Sequence, residues 1–415
     1  GDVALSEFTG KISQPAAFAL PQPTVTPQPS EIVQFADILN SSSKTTLFCG
    51  RGCQGAHAEL LKLAEKLKAP IVHALGGKEH VEWDNPFDVG MTGLIGFSSG
   101  YAAMQDCDTL VMLGTDFPYR QFFPSHAKVV QVDLRPENLG RRVPLDLALV
   151  GDVKSTIEAV LPLVEANPNT SYLDFCKKRY VKARAGLDEL ATGKAGRTIH
   201  PQYLAKLVSD HASEDAVFTF DVGTPTIWAA RYLKMNGKRR IIGSLAHGSM
   251  ANAMPQAIGA QSAYPGRQII SLSGDGGFSM LMGDFLTLVQ QDLPVKVIIF
   301  NNSTLGFVAM EMKASGFLET GTTLKNPNFA DFARSVGVHA LRVEDPSELE
   351  GAIKDILAHD GPALLDVVTN TQELSMPPQI KAEQVKGFSL WALKTVMNGR
   401  GDELVDLTLS NFLER

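Results

Sequence analysis

Two polar side chains follow buried strands in the second half of the chain, each at the point where its strand ends. Asp275 lies in a Gly-Asp-Gly sequence, and Asn302 closes an Asn-Asn pair further along. In a right-handed β-α-β unit the two strands are parallel, so both ends reach the same edge of the sheet. Carboxylate and carboxamide oxygens suit a hard cation such as Mg²⁺, and the free N–H groups of a helix opening at Gly276 and Gly277 suit a diphosphate. A lone Gly-Asp-Gly is usually only a turn, but the pair at this spacing predicts a metal–diphosphate site.

The strands that position these residues belong to a region of alternating apolar strands and helices, from about 197 to 370. An earlier region, from about 31 to 165, alternates in the same way, and the charged stretch 171–190 predicts a connecting helix. Such alternation predicts an α/β fold with two doubly wound parallel-sheet domains, followed by a helical C-terminal tail. The predicted strands are 45–50, 69–74, 109–114, 129–134 and 147–152 in the first domain, and 216–221, 240–244, 268–274, 295–301 and 363–368 in the second.

Two of the predicted helices have a defined apolar face. Residues 57–68 predict an amphipathic helix, and residues 277–291 predict a helix directly after the Gly-Asp-Gly. The side chains expected to face inward are Leu60, Leu61, Ala64 and Leu67 in the first helix and Phe278, Leu281, Phe285 and Leu288 in the second.

The composition of this 415-residue chain excludes several classes of function. Its net charge of −7 argues against nucleic acid, which needs a basic surface. No apolar run reaches the ~18 residues of a membrane span. The four cysteines have neither zinc-ligand nor disulfide spacing, so they are interpreted as reduced thiols of a cytoplasmic protein, with Cys49 in the core.

A glycine-rich loop follows the first predicted strand. Residues 50–55 read Gly-x-Gly-x-x-Gly and precede a helix, which is the context of a dinucleotide site. A nicotinamide site would also need an acidic residue at the end of the second strand, where His73 stands. The loop alone is therefore a weak indication, and a plain nicotinamide site is disfavoured.

Longer stretches around these motifs resemble a known family. The spacing of Gly-Asp-Gly and Asn-Asn is similar to the thiamine diphosphate fingerprint of enzymes that act on 2-oxo acids, and the stretches 221–226 and 247–255 lie where such enzymes close over the cofactor. In detail, residues 77–100, 246–261, 301–317 and 377–391 resemble the bacterial pyruvate dehydrogenases that reduce quinone, also called pyruvate oxidases. The resemblance spans essentially the whole chain.

The resemblance implies thiamine diphosphate, Mg²⁺ and FAD as cofactors. Mg²⁺ would be held by Asp275, Asn302 and the main-chain carbonyl of Thr304. The diphosphate would be lined by Gly276, Gly277, Ser303, Thr304, Leu305, Gly306, Phe307 and Val308, next to a loop of Gly248, Ser249 and Met250. Met250 would bend the cofactor into its reactive shape, and Phe307 and Glu311 would approach the reacting carbon and the flavin. A core position for Met250 and a surface position for Glu311 are the alternatives.

The flavin would lie across the first domain. Its contacts would come from two loops, Thr92, Gly93, Leu94 and Ile95 in one and Thr115, Asp116, Phe117, Pro118 and Tyr119 in the other. Asp133 would accept hydrogen bonds from a ribose-type hydroxyl. Without the resemblance, these loops would be interpreted as tight turns.

The resemblance also implies a longer enzyme. Residues 1–30 would be the closing strand of a missing N-terminal domain and a Pro-rich linker, 31–175 the FAD-binding domain, 176–372 the thiamine diphosphate domain and 373–415 a membrane-binding tail. Because the glutamate that activates the cofactor belongs to that first domain, we expect this chain alone to be inactive or very weak.

The implied activity is oxidative decarboxylation of pyruvate to acetate and CO₂, with electrons passed through FAD to a membrane quinone such as ubiquinone. The enzyme would be a homotetramer in the cytoplasm, bound to lipids on the inner face of the bacterial cell membrane. The tail helix 402–415 would bind those lipids, with Val405, Leu409, Phe412 and Leu413 clustered on one side beside Leu404. The alternatives are an oxygen- and phosphate-dependent pyruvate oxidase, an acetolactate synthase, or a flavin-binding module that is inactive without its first domain.

Overall fold

Each alternating region folds around its own parallel sheet. The computed structural model describes residues 2–7, 9–10, 24–194, 197–375, 378, 382–408 and 411. The strands of the first sheet are β1 Thr45–Cys49, β2 Ile71–His73, β3 Asp88–Met91, β4 Thr109–Leu113, β5 Lys128–Asp133 and β6 Leu147–Val150. The helices up to the end of this domain are α1 Asp2–Leu5, α2 Pro29–Asn40, α3 His57–Leu67, α4 Lys78–Val81, α5 Ser98–Gln105 and α6 Val153–Val160. The strand order β3-β2-β1-β4-β5-β6 is that of a doubly wound dinucleotide-binding fold.

The second domain repeats this plan with a different strand order. Helix α7 Ser171–Leu190 leads into it. Its strands are β7 Val217–Phe220, β8 Arg240–Gly243, β9 Ile269–Gly274, β10 Lys296–Asn301, β11 His339–Val343 and β12 Ala363–Val368. Its helices are α8 Pro201–His211, α9 Thr224–Tyr232, α10 Ala253–Ala263, α11 Asp275–Met280, α12 Phe285–Gln290, α13 Gly306–Ala314, α14 Phe329–Ser335 and α15 Pro346–Ala358, followed by α16 Ala382–Met397 and α17 Gly401–Thr408. The order β11-β12-β10-β9-β7-β8 reverses direction between β7 and β9.

The central strands of both sheets, such as β1, β4 and β10, are buried on both faces, which is why they are continuous apolar runs. In β10, Ile298 and Phe300 pack on one side of the sheet, while Val297 and Ile299 pack on the other. The same alternation places Leu47 and Phe48 of β1 in different core layers. The predicted fold class, with two parallel-sheet α/β domains, is confirmed.

Several local predictions are wrong. Strands β3 and β11 were not predicted, and the helix predicted over 277–291 is broken into α11 and α12, which leaves Leu281 41% exposed. Phe278, Phe285 and Leu288 are buried as predicted. In α3 the buried residues include Leu63, whereas Leu61 is only partly buried. Residues 2–5, predicted as a closing strand, form the helical turn α1.

The C-terminal tail packs on the second domain through α16, whose Trp391 is fully buried. In the predicted lipid-binding face of 402–415, Val405 is 56% exposed, as a lipid-facing residue must be, while Leu407, which lies outside that face, is buried. Lipid binding by this helix stays a prediction. Leu409, Phe412 and Leu413 lie outside the described residues. Within the described part of the chain, no helix combines the length and the apolar character that a membrane crossing requires.

Candidate active site

The Gly-Asp-Gly motif lies where the strand order of the second sheet reverses. Strands β7 and β9 are neighbours there, and Asp221 and Asp275 directly follow their ends. Open α/β sheets bind ligands in the crevice at such a point. Oδ2 of Asp275 accepts the N–H of Ser303 at 2.6 Å, although 28 residues separate them. The two turns therefore converge in space, as their spacing predicted.

Asp275 is a buried carboxylate held by N–H groups. Only 3% of the residue is exposed. Besides Ser303, it accepts hydrogen bonds from the main chain of Gly276 at 2.8 Å and from Nδ2 of Asn326 at 2.7 Å. Burial raises the pKa of Asp275, and these hydrogen bonds act in the opposite direction. A cation beside the carboxylate would stabilise its charged form.

Asn326 was missed by the sequence analysis. Its Nδ2 donates to Oδ1 of Asn301 at 2.9 Å as well as to Asp275, so it bridges the ends of β9 and β10. Asn326 lies in an Asn-Pro-Asn sequence that does not follow a strand and that shows no helical or strand-like pattern of apolar residues. Its only sequence signal is that of a turn, which does not indicate a position in the site.

The two residues of the Asn-Asn pair have different environments. Asn301 is buried, and its Nδ2 donates to Oδ1 of Asp366 on the neighbouring strand β12 at 2.9 Å. Asn302 is partly exposed, and its Oδ1 accepts the N–H of Thr304 at 3.2 Å. Asn301 therefore stabilises the sheet, and Asn302 lines the pocket along α13. A metal-ligand role for Asn302 stays a prediction.

The turn after β10 is fixed by a second segment of chain. Ser303 adopts a left-handed conformation with φ of +56°, which is uncommon for a non-glycine residue. The N–H of Leu305 donates to Thr322 at 2.8 Å, and the N–H of Leu324 donates to Ser303 at 2.9 Å. These bonds hold the turn so that α13 begins at Gly306 with its N-terminus at the crevice.

The free N–H groups at this helix start suit an anion. The first N–H groups of a helix have no partner within the helix, and its dipole favours negative charge there. In α13 these belong to Gly306, Phe307 and Val308. The crevice is narrow at this point, because a Cβ on Gly306 would lie 3.0 Å from the Thr224 methyl.

The Met250 loop covers the Gly-Asp-Gly turn. Gly248 and Ser249 are exposed and Met250 is 37% exposed, so Met250 does not lie in the core of the described chain, and its contact with a cofactor stays a prediction. The methyl carbon of Met250 lies 3.4 Å from the position that a Cβ on Gly276 would take. Met250 therefore stands directly over the turn where the cofactor is expected.

Gly277 packs directly against the carboxylate of Asp221. The sequence analysis did not single out Asp221, which it included only within the stretch 221–226. A Cβ on Gly277 would overlap Oδ2 of Asp221 and would lie 2.8 Å from its Cγ. Asp221 is 2% exposed. Burial raises its pKa to about 6, and hydrogen bonds from main-chain N–H groups act against that rise. A buried carboxylate at a strand end is the signal that could have singled it out.

Phe307 and Glu311 lie one helical turn apart on α13. Phe307 is partly buried against the core of the second domain, whereas Glu311 is exposed. A pocket along α13 is lined by Thr224, Asn302, Thr304, Gly306, Lys313 and Gln372, among others, and neither Phe307 nor Glu311 lines it. The roles proposed for Phe307 and Glu311 stay predictions.

In the first domain, the glycine-rich loop also lies at a reversal of strand order, between β1 and β4. The N–H of Gly52 donates to the carbonyl of Gly114 at 3.0 Å. A Cβ on Gly50 would lie only 2.6 Å from the Cβ of Thr115, so glycine is required for this close contact. The loops predicted to contact a flavin meet each other here, since a Cβ on Gly93 would lie 3.1 Å from the Phe117 ring.

These loops contain one feature that suits a ligand. The hydroxyl of Thr92 is buried, and no hydrogen-bond partner for it exists among the residues that the structure describes. Leu94 is 48% exposed and Tyr119 38% exposed, and Pro118 is exposed too. Ile95 joins the two domains, because its carbonyl accepts a hydrogen bond from Nε of Arg231 on α9 at 3.0 Å.

Other side chains predicted to contact the flavin already have structural partners. The carboxylate of Asp116 pairs with Arg142 at 2.7 Å and with Arg141 at 3.0 Å. Phe117 is buried in an aromatic cluster with Phe48, Phe122 and Phe123, and Thr115 is also buried. Asp133 accepts hydrogen bonds from the N–H of Arg135 at 2.9 Å and from Asn138 at 3.2 Å. A flavin contact at these positions stays a prediction.

Comparison with known proteins identifies the family. The sequence model of the thiamine pyrophosphate enzyme central domain matches residues 32–160, and that of the C-terminal TPP-binding domain matches residues 221–367. YdaP of Bacillus subtilis, named as a candidate thiamine pyrophosphate-containing protein, is 34% identical over 97% of this chain and 70% of its own length. The chain belongs to the thiamine pyrophosphate enzyme family.

Other relatives cover the chain to different extents. The acetolactate synthase large subunit of Porphyra purpurea is 31% identical over 91% of the chain and 66% of its own length. An uncharacterised 42.6 kDa protein of Pseudomonas amyloderamosa is 64% identical over 46% of the chain and 48% of its own length. The chain thus spans between about half and 70% of the length of these relatives.

The crevice in the second domain fits thiamine diphosphate with Mg²⁺. Among the described residues, no group of three or more His, Cys, Asp or Glu side chains could hold a metal ion. A cation beside Asp275 would therefore take its other ligands from Asn302, the Thr304 carbonyl and phosphate oxygens, which is how Mg²⁺ is usually bound. The absence of a Cβ at Gly276 and Gly306 lets Leu305 and Thr224 pack close to the main chain of the two turns.

Proposed function

We propose that this chain forms the cofactor-binding part of an enzyme that decarboxylates pyruvate, or a similarly short 2-oxo acid, with thiamine diphosphate and Mg²⁺. The observation that carries the proposal is the 2.6 Å hydrogen bond from the Ser303 N–H to Asp275. It brings a buried carboxylate, a carboxamide and a helix N-terminus together at the reversal of strand order. Membership of the thiamine pyrophosphate enzyme family supports the cofactor.

The residues of the crevice would bind and orient the cofactor. Asp275, Asn302 and the Thr304 carbonyl would hold Mg²⁺, and the N–H groups that open α13 would bind the diphosphate. Met250 would support the thiamine rings from above the Gly-Asp-Gly turn. When bound, thiamine diphosphate supplies a nucleophilic carbon and accepts the charge left by the departing CO₂. The protein supplies fixed charges and dipoles around it.

For the two-carbon fragment that remains, we propose transfer to a second 2-oxo acid, which gives acetolactate when both substrates are pyruvate. The support is that relatives named acetolactate synthase large subunit match across 91% of the chain in Porphyra purpurea and 88% in Methanocaldococcus jannaschii. In this case a flavin in the first domain would not need to carry electrons.

A second candidate is oxidation of the fragment to acetate, with electrons passed through FAD to a membrane quinone. Its support comes from α16, which exposes Val385 (55%), Leu393 (57%), Val396 (56%) and Met397 (75%). A cluster of exposed apolar side chains is typical of a protein or membrane contact, and a quinone must be reached in a lipid phase. The buried hydroxyl of Thr92 adds a polar group suited to a flavin.

One product analysis separates these candidates. The complete gene product is supplied with ¹³C-labelled pyruvate, Mg²⁺, thiamine diphosphate and FAD, with and without ferricyanide, and the products are measured by NMR. Acetolactate that forms without an electron acceptor supports the first candidate, and acetate formed in step with ferricyanide reduction supports the second. Release of no CO₂ by a protein that binds both cofactors contradicts pyruvate decarboxylation. Asp275→Ala is the inactive control.

A further inference from the structure

Asp221 contacts both sides of the proposed cofactor site. Its Oδ1 accepts the N–H of Ala253 at 2.9 Å, and its Oδ2 accepts the N–H of Gly274 at 3.1 Å. Ala253 begins α10, directly after the Met250 loop, and Gly274 opens the Gly-Asp-Gly turn. One buried carboxylate is therefore bonded to the two segments expected to contact the thiamine rings and the diphosphate.

We propose that Asp221 is a positioning residue that couples the Met250 loop to the Gly-Asp-Gly turn. This inference rests on the proposed thiamine diphosphate site, since the two segments act together only on a ligand that spans them. The two oxygens of Asp221 accept main-chain N–H groups of the protein, so the residue would act through these segments. Its role is to keep Met250 at a fixed height above the diphosphate-binding turn.

The Met250 loop needs such an anchor because it is exposed and strained. Ala251 has a φ of +60° and Gly248 a φ of +64°, and a non-glycine residue in this region is held at a cost of about 1–3 kcal/mol. Residues 245–250 are all exposed. The bonds at the C-terminal end of the loop include that from the N–H of Ala253 to Asp221 and that from Nδ2 of Asn252 to the Ser249 carbonyl at 2.6 Å.

The Gly-Asp-Gly side is packed against the same carboxylate. The position of a Cβ on Gly277 lies 2.8 Å from the Asp221 Cγ and 3.2 Å from the Ala251 main-chain nitrogen. Asp221, the end of the Met250 loop and the start of α11 therefore form one close-packed junction. A shift of the carboxylate displaces both segments together.

The test variant is Asp221→Asn, which keeps the size of the side chain but replaces one accepting oxygen by a donor. Thr219→Val is the matched control. Thr219 is buried on the same strand and donates to the Ala253 carbonyl at 2.8 Å, but no bond to the Gly-Asp-Gly turn is formed by its side chain within the described part of the chain. Each variant removes a hydrogen bond in this region. Only Asp221→Asn should also break the connection between the Met250 loop and the Gly-Asp-Gly turn.

Hydrogen exchange of the ligand-free chain gives a readout that does not depend on the cofactor. We expect Asp221→Asn to speed exchange about tenfold or more in both 249–254 and 274–278, in line with the loss of a hydrogen bond to a charged group. Thr219→Val should leave 274–278 unchanged. Faster exchange in only one of the two segments of Asp221→Asn would overturn the proposal.

A double-mutant cycle with Met250→Ala tests the coupling in the loaded protein. Affinity is measured by calorimetry for Mg²⁺–thiamine diphosphate and, separately, for Mg²⁺–pyrophosphate. We expect each single variant to weaken thiamine diphosphate binding about tenfold and the double variant to be little weaker than either, because Asp221→Asn alone already displaces the Met250 side chain. Effects that multiply to about a hundredfold would overturn the coupling. Failure of the unaltered chain to bind thiamine diphosphate would instead contradict the proposed function, and the exchange result would still stand.

Discussion

Replacing Gly277 by Ala tests the packing of the cofactor site with a single added methyl group. The new Cβ would overlap Oδ2 of Asp221 and would lie 2.8 Å from its Cγ, where ordinary contacts exceed 3.4 Å. The carboxylate must move, which weakens its bonds to Ala253 and Gly274. Overpacking costs about 1–3 kcal/mol, and weakening the hydrogen bonds to Asp221 costs about 1 kcal/mol more, which is part of the roughly 1.5–3 kcal/mol that an intact bond to a charged group contributes.

We therefore expect Gly277→Ala to lower the free energy of unfolding of the second domain by about 2–4 kcal/mol. For a domain of this size that lowers Tm by roughly 5–12 °C. Binding of Mg²⁺–thiamine diphosphate should weaken at least about tenfold, because the Gly-Asp-Gly turn is displaced.

The matched control is Gly283→Ala, six residues further along the same segment. A Cβ on Gly283 would meet no atom within 4 Å, and the residue does not have a positive φ. Thermal unfolding by differential scanning calorimetry, with and without the cofactor, should show the control within about 1 °C of the unaltered chain. Equal Tm values and equal cofactor affinities for the two variants would refute the packing argument.

Three further predictions concern other parts of the molecule. Phe307→Ala in the complete gene product should slow flavin reduction more than CO₂ release if the oxidative candidate holds, and stopped-flow reduction at an unchanged rate would count against a gate at Phe307. Removing residues 393–415 should abolish liposome flotation but leave ferricyanide reduction intact, with Val181→Gln on α7 as a control for loss of an exposed apolar side chain (68% exposed). Asp88→Asn should make the first domain more stable above pH 7 and no more stable at pH 4, as measured by urea unfolding.

The last of these follows from the environment of Asp88. Burial, with a smaller contribution from the nearby Glu82, raises its pKa from 3.8 to about 7, while Gly90, Tyr180 and Lys78 act against that rise. His73 also faces it at 3.8 Å and is neutral near pH 7, since burial lowers its pKa to about 4. Between about pH 4 and 7 the folded state keeps a proton that the unfolded chain has lost, so stability falls as pH rises. Asparagine carries no charge and removes this loss, which is about 4 kcal/mol at roughly 1.36 kcal/mol per pKa unit. An unchanged pH profile in the variant would contradict this account.

The strands and the Gly-Asp-Gly site were predictable because their signals are local. Buried parallel strands are continuous apolar runs, and polar residues at their ends mark one edge of the sheet. Strands β3 and β11 were missed because their sequences, Asp-Val-Gly-Met and His-Ala-Leu-Arg-Val, mix polar residues with a glycine or a histidine. The helix after Gly-Asp-Gly was predicted too long because apolar periodicity continues through Gly283, where the chain makes a tighter turn.

The rest of the site depends on contacts between distant segments. Asn326 reaches Asp275 across 51 residues, and Asp221 reaches Gly274 across 53. No spacing rule predicts such pairs, because they are set by how loops return over the sheet edge. Helical periodicity predicted an apolar surface on 402–415, where Val405 is exposed, but it did not predict the exposed apolar side chains of α16, such as Met397. Helix α16 packs against α13, where Nζ of Lys313 lies 5.2 Å from the centre of the Trp391 ring.

The central claim is tested most directly by calorimetric titration of thiamine diphosphate into the chain, with Mg²⁺ and with EDTA, for the unaltered protein and for Asp275→Ala. Binding should require Mg²⁺ and should weaken at least about a hundredfold in the variant, since loss of a buried charged ligand costs about 3 kcal/mol or more. The first domain should stay folded, as judged by near-UV circular dichroism. Equally tight binding by Asp275→Ala, or binding that is unaffected by EDTA, would contradict a metal–diphosphate site at the Gly-Asp-Gly turn.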